Sequence, residues 1–269
     1  MSDAWTVILS AAAGLFSGGA ATWYIEAWWR PRRERQRVAL ILLRGQEPIP
    51  ADAQVSVLFG QVQGKQVGAT SGPFTAERHG DGVPRAYHLV RASFPAPGNY
   101  AIQATVNGKE ALAALEAVDP AADGPPKAGQ PMTSTTTPTP EDKRGVDPIC
   151  TAQPACPLHD VSLDVALTQG KPLALLLSTP EFCETNTCGP VLDIMLEEMK
   201  PFAAQVKFLH AEIYADRKAK QTAPIVSALK LPSEPFLFLV RGDGVVNQRI
   251  AGTYDRAEFR QAVEKLVAG

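Results

Sequence analysis

Between Ala4 and Ile25 the chain carries 22 consecutive residues without a formal charge. As an α-helix rising about 1.5 Å per residue, that run spans about 33 Å, enough to cross the hydrocarbon core of a bilayer. Trp5 stands at one end, and Trp23, Tyr24, Trp28 and Trp29 at the other, where amphipathic rings prefer the two interfaces. A core helix of this length would carry a polar face. Met1-Ser2-Asp3 lacks the positive charge that opens a cleaved signal peptide. The run therefore predicts a single-pass transmembrane anchor over residues 4–29. Ser10, Gly14 and Gly18 give it a small-xxx-small seam on which two such helices could pack as a homodimer.

Sidedness is argued in opposite directions by two features. Arg30, Arg32, Arg33, Arg35 and Arg37 follow the anchor, opposed only by Glu34, and the positive-inside rule then puts the remainder in the cytoplasm. Four cysteines confined between Cys150 and Cys188 read as two pairs, a pattern at home in an oxidising space. The cysteine pattern is given the greater weight, which makes the soluble part extracytoplasmic. With 26 basic against 28 acidic residues, a net charge of −2, nothing suggests a nucleic-acid partner.

Residues 38–118 predict an all-β sandwich. Val38–Leu43 is an apolar run, Ala53–Phe59 and Asn99–Val106 alternate, and Tyr87–Phe94 supplies a further strand. Asn107-Gly108 is a strong hairpin signal, with Lys109–Val118 returning. The Phe94-to-Tyr100 stretch, Phe-x-x-Pro-Gly-x-Tyr, resembles the end of an immunoglobulin-like or fibronectin-like bacterial module. His79, in a polar loop, and His88, on a strand, read as ordinary loop and face histidines. Residues 119–148 are rich in Pro and Thr; such a segment cannot fold on its own and predicts a semi-extended linker.

From residue 149 to 269 helices and strands alternate: a short helix at 161–169, a buried strand at 172–178, and a helix opening at Pro190. A strand at 206–214, a helix at 218–229, a hairpin around Gly242-Asp243-Gly244 and a last helix capped at Asp255 follow. The order resembles an α/β thioredoxin-like domain. Cys188-Gly189-Pro190 is similar to the start of the thioredoxin Cys-Gly-Pro-Cys site, and Glu234-Pro235-Phe236 sets Pro235 before a buried strand, as the family's cis-proline is set. The resemblance implies Gly189, Pro190 and Pro235 as supports of a redox site, and, taken over the whole chain, a bacterial membrane-tethered thioredoxin-like protein. It departs from the family at Val191, where the second cysteine should stand, at Thr187, where a Trp is usual, and in lacking a buried carboxylate on the first strand.

The remaining thiol lies upstream, in Cys183-Glu-Thr-Asn-Thr-Cys188, a C-x4-C pair. Disulfide exchange needs a thiolate. Cys188 stands at a helix start, where free N–H groups favour negative sulfur. This makes Cys188 the attacking and Cys183 the resolving thiol of a membrane-anchored thiol–disulfide oxidoreductase acting on protein thiols. The rival reading is a disulfide that only pins the loop. Cys150 and Cys156 precede the fold and read as a structural disulfide; the alternative joins them with His159 and a thiol of the second pair around a metal. No metal is assigned and no cofactor is called for. Two other functions compete: copper handling of the Sco type, which needs a histidine near the C-x4-C pair, with His210 as the candidate, and a non-catalytic interaction module.

Overall fold

The computed structural model describes residues 5–9, 27–28, 35–44, 47–118, 124–183 and 186–269. These divide into two units, one ending at residue 118 and lacking 81–84, the other made of 81–84 and the chain from 124 onward.

The first unit is all β. One sheet joins β1 (Trp5–Leu9), β3 (Gln36–Arg44), β8 (Tyr87–Ala92) and β7 (Glu77–His79), with β4 (Glu47–Pro48) also on β3. The second runs β2 (Ala27–Trp28), β10 (Lys109–Val118), β9 (Gly98–Val106), β5 (Val55–Gln63), β6 (Gln66–Thr75). Alternation decides the shared core: Val38, Leu40 and Leu42 of β3 meet Val55, Val57 and Phe59 of β5 and Tyr100, Ile102, Ala104 and Val106 of β9. The β9–β10 hairpin turns at Asn107 (φ 46°) and Gly108 (φ 78°), both left-handed as a type I′ turn requires. Tyr100 closes the Pro95–Gly98 loop, its hydroxyl donating to the Ala96 carbonyl at 2.8 Å. β6 was not visible in the sequence, because nearly all its side chains are exposed and it carries no apolar alternation.

The second unit has a four-stranded sheet in the order β12 (Lys207–Ala211), β11 (Leu173–Leu177), β13 (Phe236–Val240), β14 (Val246–Ala251). β11 is parallel to β12, which requires a crossover through α2 (Cys188–Glu198), and antiparallel to β13. Side chains of β11 alternate between two cores. Ala174 and Leu176 join Leu237 and Leu239 beneath α2 and α4 (Arg256–Ala268). Leu173, Leu175 and Leu177 join Phe236 and Phe238 beneath α1 (Leu163–Thr168) and α3 (Pro224–Ala228). Strands buried on both faces have no polar alternation, hence the continuous apolar runs. The topology is thioredoxin-like. Asp255 caps α4 as expected, accepting from the Glu258 N–H at 2.9 Å.

Three expectations meet a different outcome. Residues 124–148 are no free tether. Gly129 and Met132 donate to the Val246 and Gly244 carbonyls at 2.8 Å each, the Thr137 hydroxyl accepts from the first amide of α1 (2.9 Å), and Met132, Thr137 and Val146 are buried. Proline and threonine prevent this stretch from folding alone, but an extended chain can still lend its carbonyls and hydroxyls to a neighbouring domain. The helix expected over 218–229 shrinks to Pro224–Ala228, because Pro224 holds Ala223 extended (ψ 147°). The anchor expected over 4–29 falls mainly outside the described residues; its described parts, Trp5–Leu9 and Ala27–Trp28, are strands pairing β3 and β10. No helix among the described residues is long and apolar enough to cross a membrane.

His88 is fully inside the first unit instead of on a face, and neither ring nitrogen has a hydrogen-bond partner among the described residues. Burial, with Arg78 and His79 nearby, lowers its pKa from 6.5 to about 4. Folding thus excludes a proton that the unfolded chain takes up. Stability is full above pH 6.5, falls as the pH drops through that value and levels off near 4, a loss on the order of 3 kcal/mol. Urea unfolding at pH 7.5 and pH 5 should show about 2 kcal/mol of this loss in the parent and a smaller one in His88→Leu. Equal losses in the two proteins would assign the acid sensitivity elsewhere.

Candidate functional site

β11 ends at Leu177 and a loop leads to α2, whose first residue is Cys188. Cys188 is wholly buried and Cys183 half-buried, both as free thiols. The two sulfurs and a carboxylate oxygen of Glu234 lie within 4.8 Å of one another. No side chain caps α2. The Cys188 amide instead donates to the Cys183 sulfur at 3.3 Å, so the unpaired N–H that opens every helix is here directed at a thiol.

This geometry corrects the sequence expectation for Cys188. Burial pushes its thiol well up, and the hydrogen bond and negative charge of Cys183, with Glu234 behind, push the same way; only the Thr179 amide opposes. The first free amide of the helix is directed at the Cys183 sulfur. The amide of Cys188 points out into the loop while its side chain turns into the interior. Gly189 and Pro190 occupy the first turn of α2, half-buried. A Cβ on Gly189 would meet no atom within 4 Å, so the backbone beside the pair is open to an incoming chain. Pro190 falls where a helix needs no donor. The Glu234–Pro235 bond is cis, and the Pro235 carbonyl accepts from Gly252 at 2.8 Å.

Cys150 and Cys156 do not form the expected disulfide; both are free and buried. Their sulfurs converge on two imidazoles. Cys156 Sγ is 3.3 Å from His159 Nε2 and 3.4 Å from His210 Nδ1. Cys150 Sγ is 3.8 Å from His210 Nδ1 and accepts from the Cys156 amide at 3.3 Å. The two ring nitrogens are 3.2 Å apart. The hydrogen bond from Cys156 favours a thiolate at Cys150, against burial, and that charge in turn raises Cys156. Nearby, Glu212 is buried and accepts from the Thr151 amide and hydroxyl, both at 2.6 Å; burial raises its carboxyl.

The sequence offers His210 as the histidine of a Sco-like copper site beside the C-x4-C pair. It is buried on β12, and its ring turns to Cys150 and Cys156. The C-x4-C pair therefore does not have it as a third ligand. The signal that could have found this role is a histidine inside the apolar run Val206–Ile213, on the same face as Phe208.

No protein-family model matches the chain, and no curated protein matches it. Among solved structures it is similar to a thiol:disulfide interchange protein, a thioredoxin family protein from Chlorobium tepidum. The identity is 17%, over 54% of this chain and 99% of that one, with a TM-score of 0.37.

Exposure and thiolate character together set alkylation rates. Brief iodoacetamide treatment of the reduced native protein should label Cys183 first, with Cys188, Cys150 and Cys156 reacting only after unfolding. Peptide mass spectrometry reads the order, and label at Cys188 ahead of Cys183 would overturn the assignment.

Proposed function

We propose that this chain is a thiol–disulfide oxidoreductase acting on protein thiols, with Cys183 as the attacking and Cys188 as the resolving cysteine. The observation that carries the reading is the amide of Cys188 donating to the accessible Cys183 sulfur while the Cys188 thiol waits, protonated, behind it. Cys183 thiolate attacks one sulfur of a substrate disulfide, and the other sulfur leaves as a thiolate that takes a proton. Cys188 then gives its proton to the Glu234 carboxylate and attacks Cys183. The second substrate sulfur leaves as a thiol, two electrons have passed to the substrate, and a Cys183–Cys188 disulfide remains. Run backwards, the same steps oxidise a dithiol.

Glu234 takes the part of the buried acid that β11 lacks. A buried thiol with a raised pKa attacks slowly unless a base stands next to it, and this carboxylate lies within 4.8 Å of both sulfurs. The open backbone at Gly189 and the chain around Pro235 border the surface against which a substrate segment would lie. We assign the first unit as an immunoglobulin-like spacer, which its two-sheet core supports; a membrane tether over residues 4–29 rests on the uncharged run alone, and the pairing of Trp5–Leu9 with β3 and of Ala27–Trp28 with β10 speaks against it.

Cys188→Ser should trap a mixed disulfide on Cys183, because nothing internal then releases the substrate, and Cys183→Ser should trap none. Glu234→Gln should leave the first attack intact and slow resolution about 100-fold, seen as a persistent mixed disulfide under single turnover. No adduct in either cysteine variant would make the pair a staple and the domain an interaction module. The tether is checked separately: the full chain should stay with membranes through alkaline carbonate washing, and its release there would remove the anchor.

A further inference from the structure

We propose that Cys150, Cys156, His159 and His210 form a closed, structural binding site for one zinc-type divalent cation, separate from the redox pair. All four side chains are buried, at 4, 8, 4 and 2% exposure, and their donor atoms lie within 4.8 Å of one another. Zinc–sulfur bonds of about 2.3 Å and zinc–nitrogen bonds of about 2.0–2.1 Å define a tetrahedron with edges of about 3.3 Å between nitrogens and about 3.6 Å between nitrogen and sulfur. The observed edges are 3.2 Å between nitrogens and 3.3, 3.4 and 3.8 Å between sulfur and nitrogen.

The surroundings are those of ligands held ready. His210 Nε2 is 3.2 Å from the Ser178 carbonyl and 3.0 Å from its hydroxyl. A carbonyl only accepts, so Nε2 carries the hydrogen and Nδ1 presents its lone pair to the cluster. The Cys156 amide donates to Cys150 Sγ, which offsets thiolate charge. Two thiolates and a divalent cation sum to zero, so the filled site satisfies burial, while binding releases whatever thiol proton the pair still holds. With every ligand enclosed, no coordination position faces a substrate, which makes the site structural.

Its place explains its use. Residues 149–162 contribute neither helix nor strand to the sheet, yet Leu158 accepts from His210 N–H at 2.9 Å. A cation bound to three side chains of this segment and one of β12 would fasten it across the end of the sheet. Ser178, which orients His210, is followed by Thr179, whose amide reaches Cys188, so the clamp also braces the wall behind the redox pair.

The reduced full-length chain, stripped with chelator and reloaded, should hold one zinc by elemental analysis. Cobalt in its place should show tetrahedral ligand-field bands and thiolate-to-cobalt charge transfer. Cys150→Ser and Cys156→Ser should abolish both, whereas the double variant Cys183→Ser/Cys188→Ser should keep them, which separates this site from the redox reading. Should the first variants fail to fold, zinc added to the parent should raise the urea concentration at which Cys150 and Cys156 become alkylated, while Cys183 reacts throughout. A reduced chain that binds neither metal, a six-coordinate cobalt spectrum, or metal lost only in the Cys183/Cys188 variant would overturn the site.

Discussion

Five apolar residues buried on both faces, Leu173 to Leu177, are the constraint on which the second unit rests. No water reaches this strand, so its amides and carbonyls must pair with β12 on one side and β13 on the other. Each enclosed leucine contributes about 2 kcal/mol of burial, and successive residues of the strand serve opposite cores. The same constraint locates the chemistry. Where the strand ends, Ser178 and Thr179 must emerge at the carboxyl edge of the sheet, the place where open α/β sheets gather their functional groups. From there Ser178 turns to His210, and the Thr179 amide to Cys188.

Two thiol pairs thus sit within one loop's reach of that edge, and their neighbours give them different chemistry. Cys183 is half exposed and receives a helix amide; Cys188 has burial and like charge around it, opposed only by the Thr179 amide. Cys150 and Cys156 have imidazoles in place of a helix. Spacing alone did not separate these cases. C-x4-C and C-x5-C look alike in a sequence, whereas the direction of one amide and the face of one strand decide which sulfur attacks and which would bind a metal.

Much of the fold was legible because its signals are local or periodic. The Asn107-Gly108 turn, the alternation in β9, the continuous runs of β11 and β13 and the Asp255 cap each state their own conformation within a few residues. What was not legible depends on partners far along the chain. β6 is held by its ladder to β5 and by no apolar face of its own. Residues 124–148 look like a tether until the carbonyls of β14 and its turn are there to receive their amides. The role of His210 is settled by Cys150 and Cys156, 60 and 54 positions away. The direction of the Cys188 amide, toward the Cys183 sulfur and away from its own buried side chain, is a matter of local backbone that no composition records.

An oxidising space was favoured because both cysteine sets read as disulfide-forming, against the five arginines that follow the uncharged run. With Cys150 and Cys156 free and facing two imidazoles, one set no longer speaks for oxidation. The other set is reversible by the chemistry proposed for it, since an amide that stabilises the Cys183 thiolate favours the reduced pair as much as it speeds attack. A pair of this kind works where a partner can both load and unload it.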